Sequence, residues 1–303
     1  MSKNILIIGG TGFIGYHLAK SCLRLKWNVS SVSLNKPKKI RRLNGVKYLI
    51  LDISNKKNLK KIDKITYDFV INLGGYVEHI NKTQVKKYHF LAVKNLYEYF
   101  INKKIKKFIQ VGSSAEYGKS QVPQKENFIC RPLGIYGKYK LKASRFLLKK
   151  STKCNFPVTI LRLYQVYGPN QDQNRFLPNL IQACLKKKVF NSSCGIQKRD
   201  FLFISDAVKA ILKTLTSKKT TGHIINIGYG RSVTLKKIMT YVGRKTKFFH
   251  PNYGKIKIRK DESLDVYPDI KKARKMLNWR PDLNWDEGIL KTIKYYKKIN
   301  GEF

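Results

Sequence analysis

Three glycines set three apart, directly after an apolar run, constrain this chain more than anything else in it: Asn4-Ile5-Leu6-Ile7-Ile8-Gly9-Gly10-Thr11-Gly12-Phe13-Ile14-Gly15. The apolar run has the length of a short strand, and the stretch beyond it, with Phe13, Leu18, Leu23 and Leu25, reads as an amphipathic helix. A strand that passes through a glycine turn into a helix is the context in which this pattern holds a dinucleotide. Gly9 permits a tight turn, Gly12 leaves room for backbone to approach a pyrophosphate, and Gly15 lets helix and strand pack closely. The helix N-terminus, opened by Phe13 and Ile14, then turns its free N–H groups toward the phosphates. Outside that context the same glycines would mark an ordinary turn.

The alternation continues. Residues 28–34, 46–51, 69–73, 108–111 and 158–163 read as strands, and 85–100 and 134–150 as helices. Strands and helices alternating at this spacing predict an α/β fold with a doubly wound parallel sheet, a Rossmann fold. Ligands of such sheets bind beyond the carboxyl ends of the strands, where Leu73-Gly74-Gly75 and Gly112-Ser113-Ser114 fall. Past residue 163 the pattern loosens into proline- and aromatic-rich connections, with helices near 176–187 and 206–216 and a strand at 224–227. We therefore expect a dinucleotide-binding domain over 1–165, to which 200–228 returns, and a smaller discontinuous substrate lobe over 166–303.

The end of the second strand bears on the choice of cofactor. NAD-preferring folds place an acid there for the ribose hydroxyls, about 20 residues past the glycines. No Asp or Glu occurs between Gly15 and Leu51; Ser33 takes that place, followed by Lys36, Lys38, Lys39, Arg41 and Arg42. A hydroxyl among cations suits a 2′-phosphate, so NADP(H) is favoured over NAD(H).

Charge needs a decision. Lys and Arg total 63 against 18 Asp and Glu, a net +45. Clustered cations would suit a nucleic-acid partner. Here the lysines are spread along the whole chain, which reads instead as a coat on exposed helix faces. No apolar run reaches the roughly 18 residues of a membrane span. The N-terminus runs straight into the first strand, leaving no space for a signal peptide. Five cysteines, odd in number and without a CxxC pair, suggest neither a disulfide framework nor a metal site. A cytoplasmic protein is expected.

Tyr136-Gly137-Lys138-Tyr139-Lys140 sets a tyrosine and a lysine one helical turn apart. A phenol titrates near 10, too high to accept a proton at neutral pH. An adjacent ammonium favours phenolate, so Tyr136 is a candidate general base or acid, with Ser113 hydrogen-bonding the same oxygen.

With the glycine turn, Asp52-Ile53, Ser113, Tyr136 and Lys140 in hand, the chain resembles the extended short-chain dehydrogenases/reductases of the nucleotide-sugar epimerase/dehydratase family. The resemblance extends through Leu161-Arg162-Leu163-Tyr164-Gln165-Val166-Tyr167-Gly168-Pro169, Arg175-Phe176-Leu177-Pro178, Arg199-Asp200-Phe201 and Leu277-Asn278-Trp279-Arg280-Pro281, and so covers nearly all of the sequence. It implies catalytic roles for Ser113, Tyr136 and Lys140. It implies cofactor contacts from Gly9, Gly12, Phe13, Ile14, Gly15, Ser33, Lys36, Asp52, Ile53, Leu73, Gly74 and Gly75, with Asp52 and Ile53 at the adenine. Substrate contacts would come from Ser114, Tyr164, Gln165 and Arg175, with Arg199 and Arg259 on the pyrophosphate. A homodimer through the helices at 85–100 and 134–150 is implied as well.

Departures sharpen the expectation. Gln165 stands where the family usually has Asn, and His89 where a helix Asn is usual, either as a structural residue or in touch with the site. The family's 4,6-dehydratases carry acids just after the Ser/Thr, where this chain has Ser114 and Ala115. Glu116 comes one position late and, if strand alternation persists, points the other way, so water elimination is not expected. Two activities at C4 of a nucleotide-diphosphate sugar remain. One is NADPH-dependent reduction of a 4-keto-(6-deoxy) sugar, favoured by the cationic stretch; the other is an NAD-dependent 4-epimerase or 4-dehydrogenase. A nucleic-acid-binding protein on the same fold is the reading from another class, and the Ser113, Tyr136 and Lys140 set argues against it.

Overall fold

The apolar run at the N-terminus forms β1 (Asn4–Ile8), and the chain then builds outward from it in two directions. In the computed structural model, which describes residues 2–62, 64–76, 81–259 and 262–301, β2 (Asn28–Ser33) and β3 (Val46–Ile50) extend the sheet on one side of β1. On the other side lie β4 (Phe69–Asn72), β5 (Lys107–Ser113) and β6 (Val158–Leu163). The short β7 (Gln165–Tyr167), β8 (Phe190–Asn191), β9 (Lys198–Arg199) and β10 (Phe201–Phe203) lie outside this sheet, and β11 (Ile224–Ile227) returns to pair with β6 at its edge. The result is a seven-stranded, wholly parallel sheet in the order β3-β2-β1-β4-β5-β6-β11. Strand order reverses between β1 and β4, which is where such a sheet opens a ligand crevice.

Alternation along β1 assigns its side chains to two cores. Ile5 and Ile7 pack on α1 (Phe13–Arg24) through Leu18, Ala19 and Cys22, whereas Leu6 and Ile8 face the opposite side. That second core closes on α3 (Ala92–Phe100) and α4 (Ile135–Cys154), after a short α2 (Lys82–Lys86). The helix expected over 85–100 is therefore interrupted: a π-helical turn, Lys87–Leu91, separates α2 from α3 and carries His89. α4 runs past its expected end to Cys154 and stops where Asn155 takes a left-handed conformation (φ 51°), which Asn tolerates well.

The remaining helices are α5 (Phe176–Leu185), α6 (Ile204–Thr216), α7 (Leu235–Thr246), α8 (Lys271–Leu277) and α9 (Trp285–Ile299). Three small sheets tie the C-terminal part together. β10 pairs with β7, β13 (Pro251–Asn252) with β8, and β9 lies between β12 (Val233–Thr234) and β14 (Asp265–Val266). Among the described residues no helix is long and apolar enough to cross a membrane.

Candidate active site

A cleft of about 610 Å³ opens beyond the carboxyl ends of β1, β4, β5 and β6. Its floor is the glycine turn. Gly9 has φ +78°, and a Cβ there would lie 3.0 Å from the backbone N of Gly74. A Cβ on Gly15 would meet the Gly9 carbonyl oxygen at 2.4 Å, so helix and turn touch only because it is absent. A Cβ on Gly12, the N-cap of α1, would meet only the Gly9 oxygen at 3.2 Å; its outer side is open to the cleft. No side chain caps the helix and no acid sits in its first turn, which leaves its N–H groups for an anion. Phe13, Ile14, Leu73, Gly74 and Gly75 complete this wall. The arrangement fits a dinucleotide pyrophosphate.

Ser33, Lys36, Asp52 and Ile53 lie at or just past the ends of β2 and β3, outside the cleft lining. Ser33 Oγ accepts from the Thr11 N–H (3.3 Å). Asp52 accepts from Ser54 N (2.9 Å) and Oγ (2.6 Å) and pairs with Lys87 (3.1 Å). Of the cationic stretch, Lys38 and Arg41 are committed elsewhere: both pair with Asp172, and buried Arg41 also donates to the Asn170 carbonyl. These two cations hold the chain to its own 170–172 segment, so the preference for NADP(H) inferred from them is not supported.

Ser113 ends β5, Tyr136 lies in the first turn of α4, and Lys140 one turn on; all three line the cleft. Lys140 is buried, its Nζ donating to the Val111 carbonyl (2.8 Å) and lying 5.9 Å from the Tyr136 ring centre. Burial lowers the Lys140 ammonium to about 8, with the Glu116 charge pulling the other way. For Tyr136 the expected fall is not what the protein alone produces. Burial pushes the phenol above its usual value, the Ser113 hydrogen bond and the Arg175 charge pull it down, and Glu116 pushes it up. Any phenolate character at Tyr136 is therefore gained against its own desolvation.

Strand alternation does not persist beyond Ser113. A single 3₁₀ turn, Ser114–Glu116, follows, capped at both ends of a box: Ser113 Oγ accepts from Ala115 N (3.2 Å) and Glu116 Oε1 from Ser113 N (3.0 Å). Glu116 is fully buried and its Oε2 receives Arg162 Nε and Nη2, each at 3.0 Å. It faces away from the cleft, as expected, but by turn geometry rather than strand alternation. Ser114 and Ala115 do face the cleft.

His89 serves in both of the ways considered for it. Its Nε2 lies 3.1 Å from both Tyr76 N and Tyr76 O, and its ring meets Tyr136 edge-on at 5.0 Å. The Gly75 backbone passes so close that a Cβ there would lie 2.3 Å from His89 Cε1.

On the far side, Tyr164, Gln165, Arg175, Arg199 and Arg259 all line the cleft. Tyr164 is buried and donates to Gln124 Oε1 (2.8 Å). Arg199 and Arg259 converge on one acid that sequence reasoning missed, Glu262, which pairs closely with Arg199 and lies 3.7 Å from Arg259. Asp172 and Asp200 also reach the cleft unforeseen. Asp200 is buried beneath the loop after β11 and accepts from Tyr229 N (2.8 Å) and Gly230 N (2.6 Å). Its sequence signal was the Arg199-Asp200-Phe201 triplet; Asp172 and Glu262 had none, because Lys38 and Arg41, and Arg199, lie far from them along the chain.

A parallel sheet with a glycine-lined crevice at its switch point, and a Tyr/Lys pair beside a strand-end serine, defines a dinucleotide-dependent oxidoreductase-type site. The sequence pattern of the NAD dependent epimerase/dehydratase family matches residues 5–228, and the chain belongs to that family. Among its relatives, the UDP-N-acetyl-alpha-D-glucosaminuronate decarboxylase of Bacillus cytotoxicus is 26% identical over 324 aligned positions, covering 100% of both chains. The putative UDP-glucose 4-epimerase of Methanocaldococcus jannaschii is 28% identical over 309 positions, covering 98% of this chain and 99% of that one. The fold is shared with the UDP-glucuronic acid 4-epimerase of Bacillus cereus, solved with UDP-glucuronic acid and NAD (TM-score 0.88, 24% identity, 98% and 99% covered).

Proposed function

We propose that this protein is an NAD-dependent 4-epimerase of nucleoside-diphosphate sugars, with UDP-sugars as the first class to test. The observation that carries the reading is the cleft itself: Ser113, Tyr136 and Lys140 stand beside the glycine turn, while the only acid of the Ser114–Glu116 turn is buried against Arg162. Proton transfer at a hydroxyl is available there and water elimination through that turn is not. The reductase reading rested on NADP(H), and it weakens once Lys38 and Arg41 are held by Asp172. The 4-epimerase names of the Methanocaldococcus relative and the Bacillus neighbour, and the NAD bound to the latter, support the same choice.

Bound NAD supplies the hydride chemistry at C4. The protein's part is proton transfer and placement. Tyr136 takes the proton from the C4 hydroxyl and later returns one, and Ser113 Oγ hydrogen-bonds the same oxygen. Lys140, one turn along α4, favours the phenolate. Gly9, Gly12, Gly15, Phe13, Ile14, Leu73, Gly74 and Gly75 hold the dinucleotide, with Ser33, Lys36, Asp52 and Ile53 toward its adenosine end. In this reading residues 1–165 bind the cofactor. The lobe over 166–303 binds the sugar nucleotide, with Ser114, Tyr164, Gln165 and Arg175 near the sugar and Arg199 and Arg259 on the diphosphate. Glu262 then yields its two arginines to substrate. A homodimer across α3 and α4 belongs to the same reading.

The test is proton NMR of UDP-glucose and UDP-glucuronate incubated with enzyme and no added reductant. Growth of the C4 epimer from either sugar supports the assignment, and Tyr136→Phe should slow it by about 10²–10⁴-fold. No epimer from either sugar, together with NADPH oxidation against a nucleotide-linked 4-keto sugar, would return the assignment to the reductase.

A further inference from the structure

The Glu116–Arg162 pair is costly to bury, and nothing in the proton chemistry above uses it. Two charges taken out of water are kept only where their geometry is well satisfied. Here it is: Glu116 is fully buried, Arg162 is 1% exposed, and the two share hydrogen bonds of 3.0 Å from Nε and Nη2. The other carboxylate oxygen takes the Ser113 N–H at 3.0 Å. The surroundings are shaped for this acid. Gly112 lies opposite Arg162 in the β5–β6 ladder, and a Cβ there would come within 2.4 Å of Glu116 Oε1. Gly137 lets α4 sit on the same turn, since a Cβ there would come within 2.4 Å of the Ala115 carbonyl oxygen. Arg162 in turn lies over the Tyr117 ring at 4.4 Å, and Tyr117 donates to Asn226 Oδ1 at 2.8 Å.

We propose that Glu116 is a positioning residue of this site: braced by Arg162, it fixes Ser113 at the end of β5 and sets a negative charge in the turn against which α4 packs. The inference rests on the functional reading for its catalytic consequence, not for its geometry. Ser113 is held twice in one turn, its N–H by Glu116 and its Oγ by Ala115, so its hydroxyl reaches the cleft in one orientation. Lys140 has a carbonyl partner, Val111, and no carboxylate in contact among the described residues, so the Glu116 charge offsets part of its burial. Around Glu116 the charged or titratable neighbours are Arg162, Tyr117, Cys130, Tyr136 and Lys140. Those around Tyr136 include Glu116, Lys140, Arg175 and His89.

The test uses the full-length protein with tyrosines carrying ¹³C at Cζ, and Tyr136→Phe identifies the Tyr136 signal. Glu116→Gln keeps an oxygen for the Ser113 N–H and removes the charge. We expect the Tyr136 midpoint to fall by about one pH unit, the size expected of one buried charge nearby at an effective dielectric of about 20. In turnover, the alkaline limb of kcat should move the same way as Lys140 loses its proton earlier, with KM changed less than about twofold. Glu116→Gln/Arg162→Met, which removes the orphaned guanidinium, should bring the Tyr136 midpoint part of the way back; it also carries the test if the single variant does not fold. A folded variant whose Tyr136 midpoint and kcat profile match the parent overturns the proposal. The NMR titration needs neither cofactor nor sugar. A parent protein that turns over no nucleotide sugar would therefore count against the functional reading and leave this inference standing or falling on its own.

Discussion

Asp172 pairs with two cations from the connection between β2 and β3, Lys38 Nζ at 2.8 Å and Arg41 Nη2 at 3.1 Å. The pairing joins the connection between β2 and β3 to the 168–172 segment, and Asp172 itself lines the cleft. The segment is held at other points too: His17 Nε2 lies 2.8 Å from the Pro169 carbonyl oxygen, and Tyr296 donates to that of Gln171 at 3.0 Å. The segment is a tied strap beside the cleft, which suits the proposed enzyme in keeping its cofactor between turnovers. Asp172→Asn should cost about 1 kcal/mol of stability, because the exposed Lys38 contributes little and Arg41 keeps the Asn170 carbonyl. Release of bound dinucleotide should quicken several-fold, measured by chase with isotopically labelled NAD. An unchanged release rate would remove the strap from cofactor retention.

Gly75 has no room for a side chain. A methyl there meets His89 Cε1 at 2.3 Å, and the His89 ring cannot retreat without leaving Tyr136 and the Tyr76 backbone. Gly75→Ala should therefore destabilise by about 1–3 kcal/mol, as overpacking does. Gly75→Ala/His89→Ala should recover part of that loss, giving a coupling energy of about 1 kcal/mol in denaturant unfolding. Additive effects would mean the two residues do not share the strain.

Lys107, at the start of β5, is buried with its ammonium on hydroxyls rather than a carboxylate, donating to Thr221 Oγ1 (2.6 Å) and Thr220 Oγ1 (3.3 Å). Burial lowers it to about 8, well under the ordinary lysine value. Between about 8 and 10.4 the unfolded chain holds this proton and the folded chain does not, so Lys107 makes stability rise with pH across that window. Below it both states are protonated and the penalty is present in full. Lys107→Met should stabilise the protein by about 1 kcal/mol at pH 7, after allowing for the lost hydrogen bonds, and the gain should vanish near pH 10. A gain independent of pH would contradict the assignment.

What the sequence displayed was what is local. The glycine turn declares itself because Gly9 needs φ +78° and Gly15 needs contact with the Gly9 carbonyl, demands that fall on single residues. The apolar runs of β1 and β6 were equally plain, and 224–227 read as a strand, which the structure pairs with β6. α7 and α9 were not: the buried stripes Ile238, Met239, Val242 and Ile289, Ile293, Tyr296 are interleaved with lysines that dilute the periodicity. Two-residue strands such as β9 and β12 are too short to show a period at all. The site divided the same way. Ser113, Tyr136 and Lys140 could be found by motif, whereas the partners of Asp172 and Glu262 lie up to 134 and 63 residues away. For the cofactor preference, the sequence shows Lys38 and Arg41 without showing that Asp172 holds them.

The most direct measurement is to purify the protein without added nucleotide, denature it, and identify what is released by mass spectrometry. A 4-epimerase that returns its hydride to the same sugar keeps its cofactor, so the account predicts close to one NAD⁺ per chain and no NADP(H). An empty site, or one that yields NADPH and reloads only with NADPH, would contradict it and point to a reductase that exchanges its cofactor every turnover.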